Sequence, residues 1–346
     1  MDILNNAVIT NDCIRASVDV SEEELLSFCV ENGDILFQRS SETLEDVGRA
    51  NVYMDNKPAV FGGFVIRGKK KAEYDPLFFR YLLASPFARK KIIPMGAGAQ
   101  HFNIGQEGLN KVKLHFALLD EQKKIARLLS LLDERIAIQN KIIDKLQSLI
   151  KGISNRLLYA DNSMSIRIEE MLIERSERTK KNNQYEILSS TVNGIFSQRD
   201  YFSKDIASDN NVGYKIIHLH DIVLSPQNLW MGNINFNDKF DIGIVSPSYK
   251  VFSIADGFDK KYVAALLKTH HALYNYMLVS EQGASTVRRN LNYEAFEQLV
   301  FKIPSLNKQQ EIGHVISLLK SQLENANLLI KTYNSQKQYL LRQMFI

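Results

Sequence analysis

The sequence predicts an α+β protein built as an internal repeat, in which two mixed bodies are separated by two long helices. Three observations predict it. One pattern recurs at a constant offset, each repeat opens with short β-type runs between turn residues, and each closes on an unbroken apolar heptad. With 346 residues, 45% of them hydrophobic, the chain exceeds the usual size of one core and suits two domains.

The repeat is carried by separated anchors. Gly33-Asp34-Ile35-Leu36-Phe37 returns 187 positions later as His220-Asp221-Ile222-Val223-Leu224. At the same offset Gly96-Ala97 meets Gly283-Ala284, and Asn103-Ile104 meets Asn290-Leu291. Gln122, Ile125 and Ser130-Leu131-Leu132 likewise meet Gln309, Ile312 and Ser317-Leu318-Leu319. Residues 75–83 pair with 259–267 after a small shift. One offset held at four places is hard to obtain by chance.

Within the bodies, residues 34–37, 64–66, 216–219, 221–224 and 249–254 are β-rich runs bounded by Gly, Asn, Ser and Pro, which predicts strands and turns. A helix should follow in each body, over 76–91 with a break at Pro86 and over 260–279. After Asp120, which suits a helix N-cap, Ile125, Leu129, Leu132, Ile136, Gln139, Ile143, Leu146, Ile150, Ile153 and Leu157 recur at steps of four and three. That is a coiled-coil seam rather than the face of a helix lying on a globular core. After Asn307 it returns with Ile312, Ile316, Leu319, Leu323, Ala326, Ile330, Tyr333, Lys337, Leu340 and Met344. Two seams in one chain suggest that they pair with each other; separate coiled coils with other proteins are the alternative. Gln139 and Lys337 interrupt the seams, where polar residues serve to set register.

Composition excludes several classes. No stretch approaches the ~18 apolar residues of a membrane helix, and the start of the chain lacks a signal-peptide pattern, so a cytoplasmic location is expected. Cys13 and Cys29 are too few for a disulfide framework and read as small core residues or spectators. The net charge is +4, yet residues 121–159 hold eight basic against four acidic side chains and 307–346 five against two, which leaves −3 for the bodies. A uniformly basic surface for phosphate is therefore not expected.

The run Leu114-His115-Phe116-Ala117-Leu118-Leu119-Asp120-Glu121-Gln122-Lys123-Lys124-Ile125-Ala126, with its twin Phe301-Lys302-Ile303-Pro304-Ser305-Leu306-Asn307-Lys308-Gln309-Gln310-Glu311-Ile312, resembles the opening of the spacer helices in DNA-specificity subunits of type I restriction-modification systems. The order of body, helix, body, helix resembles that family over essentially the whole chain. The resemblance implies two target recognition domains, each reading one half of an interrupted double-stranded DNA site, and spacer helices packed as an antiparallel coiled coil with approximate twofold symmetry. It also implies two modification (methyltransferase) subunits docked alongside, restriction subunits in the larger complex, adenine methylation carried out by those partners, and no catalysis or cofactor here. The expected division is a first recognition domain at 1–118, a central spacer helix at 119–159, a second recognition domain at 160–305 and a C-terminal spacer helix at 306–346. Helices of about 38 residues would be roughly 57 Å long at ~1.5 Å per residue, more than one ~34–36 Å turn of DNA. Ala117 departs from the pattern where the second repeat keeps Pro304. Residues 161–185 have no counterpart before Asp2, so the first recognition domain is expected to be N-terminally shortened. A truncated or silent specificity subunit acting as a recombination partner and a coiled-coil protein scaffold without DNA reading are the competing expectations.

Catalytic signatures are missing from the sequence. It holds no Pro-Pro pair of the kind an adenine-methylating pocket carries and no phosphate loop. Asp120 and Glu121 sit at a helix start, where carboxylates suit the dipole. His270-His271 are adjacent and would point apart on a helix, so no metal face is expected. Amides and guanidiniums on body loops are the candidates for base reading, since Arg pairs with guanine edges and Asn or Gln with adenine. These are Gln38, Arg39, Gln100 and His101 in the first body and Gln227, Asn228, Arg288 and Arg289 in the second. The basic runs at 69–71 and 89–91 suit solvent or phosphate rather than sequence reading. Trp230 is expected to stack in the core.

Overall fold

The computed structural model describes residues 2–158, 164–201, 210–282 and 289–345. They form two compact units, one of residues 1–142 with 326–346 and one of residues 143–325. Each unit therefore holds one body and a portion of each long helix.

In the first unit an antiparallel sheet runs in the order Ala50–Val52, Ile35–Gln38, Val65–Gly68. Alternate side chains of a strand face opposite sides. Leu36 accordingly packs with Ile9 and Tyr53, while Ile35 and Phe37 join Ile66, Leu83 and Ile92. Helices Pro76–Ala84 and Pro86–Ile92 supply the latter cluster. The break between them falls at Pro86, whose missing N–H ends the first helix. Ser85 donates to the Leu82 carbonyl at 2.6 Å and accepts the Ala88 N–H at 3.3 Å, closing one helix and capping the next.

The second unit repeats this with a fourth strand, in the order Ile234–Phe236, Ile222–Leu224, Lys250–Ile254, Leu172–Arg175. The added strand belongs to a segment that begins with Met164–Arg167, paired to Val300–Ile303, and turns through Ile168–Met171. Ile168, Met171 and Leu172 are buried in the main core beside Ile222, Phe252 and Ile303. The helix expected over 260–279 is in fact two, Lys260–Leu266 and His270–Leu278. No proline marks this break. Thr269 donates to the Leu266 carbonyl at 2.8 Å and accepts the Ala272 N–H at 3.2 Å, so a hydroxyl cap does what Ser85 and Pro86 do together in the first repeat.

The long helices are Leu119–Leu158 and Leu306–Gln343. Where side chains are described, every seam position is buried or half-buried, whereas the off-seam residues Leu128, Leu131, Ile138, Leu318 and Leu328 are exposed. Their pairing in the first unit is antiparallel. Ile125 and Leu129 pack with Leu341 and Phe345, Asp133 pairs with Lys337 at 2.5 Å, and Gln139 donates to the Ala326 carbonyl at 3.1 Å, so one helix climbs as the other descends. Toward its end the second helix departs from the expected seam. Leu340 and Met344 are only half-buried, and Leu341 and Phe345 are the buried pair. Phe345 lies 5.4 Å from the Phe78 ring, because there the helix meets the body as well as its helical partner.

Both helices begin with the same fastening. Gln122 accepts the Asp75 N–H at 3.0 Å and donates to the Ala117 carbonyl at 2.8 Å; Gln309 accepts the Asp259 N–H at 3.1 Å and donates to the Pro304 carbonyl at 2.9 Å. The carboxylates of Asp75 and Asp259 each cap the helix that follows, at 2.8 Å to the Phe78 and Tyr262 amides. Ala117 in place of Pro304 costs nothing here, since the glutamine uses only the backbone carbonyl.

Asp133 also accepts the Tyr81 hydroxyl at 2.8 Å and an Arg80 nitrogen at 3.2 Å. Burial works against its charge, but Lys337, Tyr81 and Arg80 outweigh burial and hold its pKa below the ordinary carboxylate value. A depressed carboxylate pKa stabilises the fold above the unfolded value near ~3.9 and ceases to do so as pH falls through the folded value. Asp133→Asn should therefore cost about 1.5–3 kcal/mol in urea unfolding at neutral pH. The deficit relative to the parent chain should shrink between about pH 5 and pH 2. Lys337→Met leaves Asp133 its Arg80 and Tyr81 partners and should cost less.

Candidate nucleic-acid interface

In the first unit the end of strand Ile35–Gln38 runs directly into the loop region that holds Gln100 and His101. Ser40–Ser41 pairs with Phe102–Asn103, and the Ile104 N–H donates to the Arg39 carbonyl at 2.9 Å. The two candidate runs of this body are thereby brought together. Arg39, Gln100 and His101 are exposed. Gln38 is not presented in the same way, since its Nε2 donates to the Ser40 carbonyl at 2.8 Å and shapes the turn. Arg39 is steadied by a 2.9 Å bond from its N–H to the Phe64 carbonyl, and its guanidinium reaches the Gly63 carbonyl at 3.4 Å.

The loop owes its path to Gly98. At φ +145° it adopts a backbone that side chains rarely enter, and a Cβ there would run into the His101 carbonyl. On either side Ala97 and Asn103 exchange backbone hydrogen bonds of 2.9 and 2.8 Å. Asn103 touches the Ser40 hydroxyl through its Oδ1 and donates to the His101 carbonyl at 3.3 Å. Two exposed residues of this surface were not among the candidates. Asn103 served only as a repeat anchor, and Arg49, whose carbonyl accepts the Gln38 N–H at 2.8 Å, carried no sequence signal.

The second unit builds the corresponding surface from the turn after Ile222–Leu224. Asn228 folds the turn, its N–H donating to Ser225 at 3.1 Å and its carbonyl accepting from Met231 and Asn233. Gln227 is exposed, and its carbonyl accepts the Arg289 N–H at 3.2 Å. Strand Ser280–Gln282 pairs with Arg289–Leu291. Trp230 departs from the expectation of a core residue: it is half-buried, and the Arg289 guanidinium lies 4.8 Å from its ring centroid. The indole face is spent on a cation rather than on the interior, and one guanidinium nitrogen reaches the Met277 carbonyl at 3.5 Å. Arg288 lies outside the described residues. Gln227, Asn228, Trp230 and Arg289 thus converge, as Arg39, His101 and Asn103 do in the first unit.

Nothing among the described residues forms a group of three or more His, Cys, Asp or Glu suited to a metal ion, and no described helix is long and apolar enough to cross a membrane. His271 contacts the Asn275 amide at 3.2 Å and the edge of Phe301, a packing role. At the start of the first long helix Glu121 pairs with Lys124 at 3.5 Å. Burial raises the pKa of Asp221 above its usual value, although the His218 N–H and Arg175 pull it down; it supports the strand beneath the turn.

Residues 2–148 match the family model described as the type I restriction modification DNA specificity domain. Over 143 residues the chain is 29% identical to the putative type I restriction enzyme MjaX specificity subunit of Methanocaldococcus jannaschii, an alignment that covers 40% of this chain and 33% of that one. The chain thus spans about a third of the length of that curated relative. Among solved structures, a type I restriction-modification S subunit from M. genitalium is similar over 92% of this chain and 84% of its own, with a TM-score of 0.56 at 14% identity. A structure described under complex assembly and conformational transition of the type I R-M system is similar over 92% and 83%, with a TM-score of 0.52 at 13% identity. At these identities the two likenesses establish the fold.

Gly98→Ala should loosen the first loop by about 1–3 kcal/mol, the usual cost of a residue forced into such backbone. Amide exchange should accelerate at Ala97 and Asn103 and stay unchanged in strand Ile35–Gln38; equal rates at the loop amides would show that the loop tolerates a Cβ.

Proposed function

We propose that the chain is the non-catalytic DNA-reading subunit of a type I restriction-modification complex, a reading supported by the match of residues 2–148 to the type I restriction modification DNA specificity domain and by the likeness to the putative specificity subunit. Each body reads one half of an interrupted double-stranded site, and the two spacer helices set the separation. The observation that carries this reading is the repeated constellation itself. In each unit the turn after the central strand is tied through the backbone to a second run, one holding Gln100, His101 and Asn103 in the first and Arg289 in the second, and the body holding both is fastened to its long helix by one buried glutamine.

Arg39, Gln100, His101 and Asn103 are assigned to the first half-site and Gln227, Arg288 and Arg289 to the second, with Gln38 and Asn228 shaping their turns. The recognition domains are assigned to residues 1–118 and 160–305, and the spacers to 119–159 and 306–346. Two modification subunits dock along the helices, where Leu128, Leu131, Ile138 and Ile142 on the first and Leu318, Leu328 and Leu329 on the second leave an exposed apolar flank outside the seam. These partners supply adenine methylation, and restriction subunits supply cleavage. A cytoplasmic location accompanies this role.

The bodies have little general attraction for phosphate, given their net −3. The isolated chain should bind DNA weakly, and addition of the modification subunit should raise both affinity and discrimination. Mapping methylated adenines produced by the co-purified complex should return one interrupted site. Arg289→Ala should cost roughly 1–3 kcal/mol and relax a position in one half only. Uniform loss across all sites would make Arg289 a phosphate contact, and tight selective binding by the chain alone would contradict the shared-binding reading.

A further inference from the structure

In the basic run at 89–91, expected to suit solvent or phosphate, two side chains turn to the protein instead. Lys91 donates to the Lys113 carbonyl at 2.9 Å and lies 4.3 Å from the Phe87 ring centroid. Arg89 donates to the Glu45 and Val47 carbonyls at 2.8 and 2.7 Å, which clamps the tight turn Leu44–Asp46 onto helix Pro86–Ile92. The turn closes on Gly48 at φ +65°, where a Cβ would stand 2.8 Å from the Ile92 side chain. On this seat Asp46 accepts the Thr43 hydroxyl at 2.9 Å and pairs with the Arg49 Nε at 2.6 Å. The Thr43 hydroxyl above all, with Arg49 and Arg89 behind it, outweighs burial and holds the Asp46 pKa below the ordinary carboxylate value. Asp46 thus stands as an anion beside two guanidiniums. Arg89 is half-buried and Arg49 is exposed.

The second unit has a turn of the same kind, Leu229–Met231, closed by Gly232 at φ +93°. The offset of 184 that relates Asp75 to Asp259 also relates Gly48 to Gly232, Arg89 to Leu273 and Asp46 to Trp230. Leu273 packs against Gly232 as the aliphatic counterpart of the Arg89 clamp. Arg49 corresponds to Asn233, which is buried and bonded to Ser190 at 2.9 and 3.1 Å. The second turn therefore supplies no arginine of its own, and Arg289 comes to it from the other run, 4.8 Å from the Trp230 ring centroid. In both units the side chain at one turn position holds a guanidinium, by an ion pair in the first and by a cation–π contact in the second. The arginines come from unrelated places in the chain, so the repeat keeps the held guanidinium and not the residue that bears it.

We propose, resting on the DNA-reading role of the chain, that Arg49 determines specificity in the first half-site by pairing with a guanine edge in the major groove, and that Asp46 and Trp230 are positioning residues for Arg49 and Arg289. A guanidinium carries five N–H donors in a planar fork. With Nε turned to Asp46, its one ionic partner among the described residues, the two Nη groups form the outer edge, and two parallel donors match O6 and N7 of guanine. A side chain fixed at Nε also loses less freedom on meeting a base. Phosphate is the poorer ligand here, because the Asp46 carboxylate is itself 36% exposed beside the guanidinium and repels a second anion. The Arg49 carbonyl accepts the Gln38 N–H at 2.8 Å, which places Arg49 across the ladder from the strand end that leads into Arg39.

The test uses the full chain in complex with its modification subunit. The probes are double-stranded oligonucleotides carrying the site mapped by methylation and every single-base-pair change in it. Arg49→Ala should lower discrimination about tenfold or more at one G·C pair, in the half that does not respond to Arg289→Ala, and should keep the parent melting temperature. Arg49→Lys should not restore it, since an ammonium lacks the fork. Asp46→Ala should relax that same pair several-fold and no other, and should add nothing in the Arg49→Ala chain, whereas a merely structural role would disturb several positions. Trp230→Leu should act in the same way at the pair that responds to Arg289→Ala. Unaltered discrimination in Arg49→Ala would overturn the proposal, and so would uniform weakening across all oligonucleotides, which marks a phosphate contact. A parent complex that selects no site would instead overturn the DNA-reading role, so the two failures are distinguishable.

Discussion

One buried amide at the start of each long helix couples everything else. Gln122 and Gln309 are 3% and 1% exposed, and each satisfies a backbone N–H and a backbone carbonyl that come from different parts of the body. An amide buried to this depth must be paired at both ends, because an orphaned donor or acceptor costs about 1–3 kcal/mol. The N–H it accepts belongs to the same aspartate whose carboxylate caps the next helix. Helix, glutamine, aspartate and body helix thus form a short rigid chain of polar contacts. Each body is oriented on its spacer by geometry that no flexible linker could hold, and any reading of spaced half-sites rests on that orientation.

The polar residues within the seam act at the next level. An apolar heptad can slide by a full heptad with little loss of burial, so it specifies that two helices pair but weakly where. Gln139 bonded to a helix carbonyl and Lys337 bonded to Asp133 remove that freedom, since a slip would part a buried amide from its carbonyl and Asp133 from its lysine. Register is decided by what would be lost elsewhere, which is the attested use of polar groups in coiled coils.

Much of this was legible in the sequence because it is periodic or repeated. The seam is local arithmetic, and Gln122 with Gln309 stood out as an anchor of the 187-residue offset before any bond was visible. The strands around Leu36 and Val223 followed from short apolar runs between turn residues. What escaped was decided by contacts distant in the chain. The break at Thr269 has no proline and depends on a hydroxyl that other threonines also carry. Trp230 looks like a core residue until Arg289, 59 positions later, covers its face. Gln38 and Arg39 are indistinguishable as loop residues, and only the fold turns one amide inward to Ser40 and leaves the other side chain at the surface. Asn103 and Arg49 are exposed through pairings across the loop that no spacing reveals.

The buried carboxylates Asp34 and Asp221 occupy equivalent places, each accepting the N–H three residues before it, at 2.8 Å in both cases. Their arginines, however, come from opposite directions. Arg67 reaches Asp34 from the strand that follows, at 2.5 Å, while Arg175 reaches Asp221 at 3.1 Å from the strand that precedes. Anyone assembling chimaeras from these halves would therefore meet an asymmetric rule. The first body carries its counterion downstream of Asp34, so a junction placed ahead of the body leaves that pair intact. The second must be taken from upstream of Arg175, because a graft beginning closer to its central strand would bury Asp221 without the cation that accompanies it.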